Sequence, residues 1–101
     1  MMHSALIHWL SPAERGRVDL PPTLRYVGIS RFSEDDNGWP DGAWSVELRF
    51  DQPPPEQESS EVSRGRVRFL VDEAPTERLH AGVRFGLYEG LQKVADIQVL
   101  D

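Results

Sequence analysis

The chain has 101 residues, 39% hydrophobic and 28% charged, with a formal net charge of −6. That length supports one domain around one core rather than two, and the acidic balance, with no basic tail to offset it, opposes a nucleic-acid backbone as the default partner. There is no cysteine, which excludes disulfides, thiolate chemistry and cysteine-ligated zinc.

The chain opens on Met1 and Met2 and closes on a strand-like stretch, so it reads as a complete small protein. Ala5 to Leu10, interrupted by His8, has strand composition. It is too short for a signal peptide or a membrane span and lacks a preceding basic region, which points to a cytoplasmic location. Ser11 to Arg15 is the best helical candidate, with Ser11 placed to cap and Pro12 at the first position. Leu24 to Phe32 has the composition of a second strand. Ser33 to Gly42 carries Glu34, Asp35, Asp36 and Asp41 together with the turn signals Asn37-Gly38 and Asp41-Gly42.

In Trp44 to Phe50 every even position is apolar and every odd one polar, the pattern of a strand with one buried and one wet face. Asp51 to Ser63 then carries three consecutive prolines with Glu56, Glu58 and Glu61. Proline forbids a ladder there and favours extended, solvated chain. Mobile loops are therefore expected at 33–42 and 51–63 of a single domain spanning 1–101. From Arg64 to Val71, an inner row of Val67, Phe69 and Val71 alternates with an outer row of Arg64, Arg66 and Arg68. Val83, Phe85 and Leu87 alternate with Arg84, Gly86 and Tyr88, and Val94 to Leu100 is apolar and β-branched. About six strands at this spacing make a sandwich or barrel. The expected core row is Trp44, Val46, Leu48, Phe50, Val67, Phe69, Val71, Val83, Phe85 and Leu87.

The segment Gly82-Val83-Arg84-Phe85-Gly86-Leu87-Tyr88-Glu89-Gly90, followed by Val94 to Leu100, resembles the end of the third domain of elongation factor Tu. Val67-Arg68-Phe69-Leu70-Val71 with Pro75 resembles the preceding strand and its proline-containing connection. Ala5 to Ser11, followed by Gly16-Arg17, resembles the first strand and a Gly-Gly-Arg corner, and Leu24 to Phe32 the second strand. The middle, Asp35 to Ser63, looks rebuilt. The resemblance implies an all-β, six-stranded Greek-key barrel. In that family the barrel packs on a GTPase domain and contacts the T-stem of aminoacyl-tRNA. This chain has no Gly-x-x-x-x-Gly-Lys-Ser/Thr phosphate loop, Tyr88 stands where the family has an arginine, and Leu91 to Ile97 replaces the small-residue segment that faces tRNA. Asp96 sets a negative charge near the expected phosphate. The fold carries over, and tRNA binding does not.

Chemistry is sparse. His3, His8 and His80 share no ligand spacing, so no metal is expected. The acidic run Glu34-Asp35-Asp36-Asn37-Gly38 fails as a calcium loop: read from Asp35, the fifth and sixth positions are Trp39 and Pro40. No serine sits in a nucleophile elbow, and the paired carboxylates fall in loops where burial is not expected. No catalytic residue, cofactor or enzymatic activity is expected. The interaction surface expected is Trp39, Arg66, Arg68, Arg84, Tyr88 and Lys93. Arg84 sits on a strand able to pair with the arginine strand, whose basic side chains can equally be satisfied by cross-strand acids such as Glu47. Trp39 is either a binding anchor or a cap on a barrel end. The expected function is a non-catalytic protein-interaction domain with an unknown protein partner. The alternatives are a translation-related RNA-binding module using Arg66, Arg68, Arg84 and Lys93, and an enzyme using His80 or His8.

Overall fold

The computed structural model describes residues 1–14, 16 and 19–101. Arg15, at the end of the expected helical piece, and Arg17, of the expected corner, lie outside the described residues. Six strands form: β1 His3–Trp9, β2 Arg25–Arg31, β3 Ser45–Arg49, β4 Val62–Phe69, β5 Arg84–Glu89 and β6 Gln92–Val99. They pair antiparallel throughout and close into a barrel in the order β1-β4-β3-β2-β5-β6. Closure satisfies the edge groups that an open sheet would leave unpaired. The helical pieces among the described residues are single 3-10 turns at Pro12–Glu14, Ser33–Asp35, Pro54–Glu56 and Thr76–Arg78. In the first of them the Glu14 carboxylate accepts from both the backbone N–H and the hydroxyl of Ser11.

Period-two alternation sets the core. Val46, Leu48, Phe50, Val67, Phe69, Phe85 and Leu87 are all buried, as the pattern requires, and Trp44 and Val83 pack against them half-buried. Val71 is 44% exposed instead. β4 ends at Phe69, and beyond the last ladder pair alternation no longer says where a side chain points. The weaker patterns of β1 and β6 supply Ala5, Ile7, Trp9, Val94, Ala95, Ile97 and Val99 to the same core. At one end the Trp9 indole stands edge-on to Tyr26 and donates its N–H to the buried Ser63 hydroxyl at 2.7 Å. At the other, Phe32 stacks on Phe85 with ring centroids 4.4 Å apart and packs on Phe69.

Both acidic loops are more structured than their composition suggests. Asp35 is buried: its carboxylate accepts the Phe32 backbone N–H at 3.0 Å and pairs with Arg78 at 3.2 Å, and the Arg78 guanidinium lies over the Phe32 ring. In the second loop Pro54 is buried, and the strand expected to begin at Arg64 begins at Val62. The Gln57 side-chain amide takes the place of a strand there. Its oxygen accepts the Arg64 N–H at 2.8 Å and its nitrogen donates to the Arg64 carbonyl at 3.2 Å. β3 has already ended, so one side chain extends its ladder by one residue. Gly65 follows, where an added Cβ would fall 2.7 Å from the Arg49 carbonyl and 2.9 Å from the Phe50 ring. The β5–β6 hairpin closes at Glu89 and Gln92 with Gly90 at φ +59°, the left-handed conformation tight hairpins need.

Candidate interaction surface

The register lines up like charges. Arg25 on β2 stands directly opposite Arg49 on β3, and Arg49 directly opposite Arg66 on β4. Such pairs repel. The next row holds Val27, Glu47 and Arg68 on the same outer face. Glu47 therefore has an outward position in the alternation, yet its side chain is only 1% exposed, because arginines fold over it. It accepts from the Nε of Arg25 and, at 2.9 Å, from the Nε of Arg49; on its other oxygen it accepts from the Nε of Arg68 at 2.6 Å. Foremost the hydrogen bond from Arg25, and after it those from Arg68 and Arg49, overcome the cost of burial and hold the Glu47 carboxyl at about 2, well below the usual carboxylate range.

The three guanidiniums remain about half exposed, at 50%, 48% and 44% for Arg25, Arg49 and Arg68. Arg66 beside them pairs at 3.2 Å with Asp51, itself almost fully exposed. Four guanidiniums against two carboxylates leave two positive charges on this face, so the remaining residues carry −8 of a chain whose net charge is −6. Beyond Arg66, an open groove of about 830 Å³ runs between the 51–59 loop and the outer face of β1 and β4, lined among others by Leu6, His8, Gln57 and Arg64.

The other expected surface residues lie elsewhere. β5 is flanked by β2 and β6 and does not pair with β4, so Arg84 is remote from the arginine strand and sits within 3.3 Å of Gln98 on β6. Lys93 pairs with Asp96 at 2.8 Å. Trp39 folds back onto the outside of the barrel, its ring 4.6 Å from that of Tyr88, with the Arg31 guanidinium 5.1 Å above it. This places Trp39 against the side of the barrel rather than over an open end. The six expected residues thus separate into the arginine face, an aromatic corner next to Lys93, and Arg84 alone.

Two carboxylates expected in solvent, Asp35 and Glu47, are buried, and both are engaged by arginine. Arg25 and Arg49 were missed as members of the cluster. The alternation places Arg49 and Glu47 on the outer face, but only the register reveals that Arg25 and Arg68 reach the same carboxylate. Among the described residues, no three His, Asp or Glu side chains are grouped to hold a metal ion, and no helix is long and apolar enough to cross a membrane. No protein-family model matches the chain, and no curated protein matches it.

Proposed function

We propose that this chain is a non-catalytic protein-interaction domain that docks an acidic segment of a partner protein on its arginine face. The observation that carries this reading is a cationic patch of four half-exposed guanidiniums on adjacent strands, three of them gathered by one buried carboxylate, on an otherwise acidic molecule. Arginine suits such a role because its planar fork stays charged and meets carboxylates in two-point contacts. The buried Glu47 carboxylate supports the non-catalytic side: engaged by three guanidiniums and held at about 2, it is a poor proton shuttle at neutral pH. The strand order, with β1 beside β4 at the end of the β2-β3-β4 meander, supports a Greek-key reading and is compatible with the elongation factor Tu third domain, whose family role is docking.

Fluorescence anisotropy with labelled peptides tests this. A peptide rich in Asp and Glu should bind, an uncharged peptide of equal length should not, and Arg66→Glu should weaken binding at least fivefold. Arg66 is the variant of choice because it does not touch Glu47. Micromolar binding of single-stranded RNA with a steep salt dependence, in place of peptide binding, would transfer the face to an RNA-binding function.

A further inference from the structure

The arginine face is compact as well as cationic. The outer surface of a barrel is convex and splays neighbouring side chains apart. Glu47 reverses that tendency. Arg25 and Arg49 donate to one of its oxygens and Arg68 to the other, so hydrogen-bond lengths alone keep the three Nε atoms within roughly 6–8 Å of one another. All three donate through Nε, and about half of each side chain faces solvent. The triad and Glu47 together carry two positive charges concentrated on one spot.

We propose that this spot reads a phosphomonoester on the partner, so that the docked segment is a phosphorylated one. This rests on the docking reading above and names its chemistry. A carboxylate brings one charge and two oxygens. A phosphomonoester brings about −1.5 to −2 and three acceptor oxygens at neutral pH. Only the latter matches two concentrated positive charges and gives each of three converging guanidiniums its own oxygen. An acidic stretch can meet the same charge only by ordering two side chains side by side, which costs conformational entropy. Glu47 is thus a positioning residue: it neutralises part of the repulsion among the arginines and aims them, without meeting the ligand itself.

The test uses the full chain and three forms of one unstructured peptide, carrying serine, phosphoserine or glutamate at its centre. The phosphoserine form should bind at least tenfold more tightly than the glutamate form. Its affinity should fall between pH 7.5 and about 5 as the phosphate, with a second pKa of about 6, loses its second charge. The groups facing the spot are Arg25 from β2, Arg49 and Glu47 from β3, Arg66 and Arg68 from β4, and Asp51 after β3. None is a histidine, and the arginines stay charged throughout that range. Arg68→Gln, whose amide can still donate to Glu47, should abolish most of the phosphoserine preference, while Arg84→Gln on the far side should leave it intact. Near-UV circular dichroism of the tryptophans verifies that both variants fold. Equal binding of the glutamate and phosphoserine peptides would overturn the phosphate inference and leave acidic docking standing. Failure of both peptides would remove both readings. Inorganic phosphate binding as tightly as the phosphopeptide would show an ion site without docking, and overturn the proposal as well.

Discussion

Glu47 shows how much a single residue's position in the ladder can decide. Its odd place in the alternation gives it an outward side chain, and outward normally means solvated. Three arginines from three strands change that. Because its folded pKa of about 2 lies below the unfolded value, the carboxylate contributes stability that is complete above the unfolded pKa of about 4.3 and disappears as pH falls toward 2. Half-exposed partners screen the interaction, so the contribution is on the order of 1–3 kcal/mol. Glu47→Gln should therefore be less stable than the parent at neutral pH by that amount. Urea titrations from pH 7 downward should show the two stabilities converging near pH 2. A constant gap across the whole range would mean that the glutamate matters by shape rather than charge. In the sequence, Glu47 and Arg68 are legible as outer-face residues of two strands. Their meeting is not, because strand register in a barrel depends on loop lengths and packing that a single sequence does not display.

At the scale of elements, strands with strict alternation were readable to within a few residues, and loops were not. β3 announces itself through Val46, Leu48 and Phe50. The 51–61 segment announces only prolines and acids, which suit a solvated loop equally well whether or not it packs. What makes it pack is Pro54, buried against the barrel, and Gln57, whose amide completes the pairing of β4 where β3 stops. Neither has a signature at sequence level, since a glutamine in a polar loop is unremarkable. Gln57→Ala removes the two-point contact with Arg64 and a further bond to the Gln52 carbonyl. At about 0.5–1.5 kcal/mol for each net hydrogen bond, part of it restored by water at this exposed site, the loss should be roughly 1–2 kcal/mol. Hydrogen exchange reads it directly: the Arg64 amide should lose protection in Gln57→Ala while the amides of Val67 and Phe69 keep theirs. Unchanged Arg64 exchange would return the loop to the purely solvated role its composition suggests.

Across the whole molecule, the sign of the charge depends on distance. The barrel measures 33 × 29 × 21 Å, and the Debye length is about 30 Å at 0.01 M salt, 10 Å at 0.1 M and 3 Å at 1 M. In dilute salt an approaching acidic segment senses the full net charge of −6 and is repelled before it can find the arginine face. Near 0.1 M the distant acids are screened, and only the guanidiniums within reach, with their two excess positive charges, act on it. At 1 M that attraction is screened too. The association rate constant for an acidic peptide should therefore rise from 0.01 M to about 0.1 M salt and fall beyond it, rather than decline from the outset as it does for a protein of opposite net charge to its partner. Stopped-flow anisotropy across that range measures the curve. The Arg66→Glu chain should lose the maximum, because its weakened face no longer outweighs the acidic background at any distance. A rate that falls monotonically with salt in the parent chain would mean that the local excess of positive charge outweighs the acidic remainder of the molecule even at a Debye length of about 30 Å, and would overturn this distance dependence.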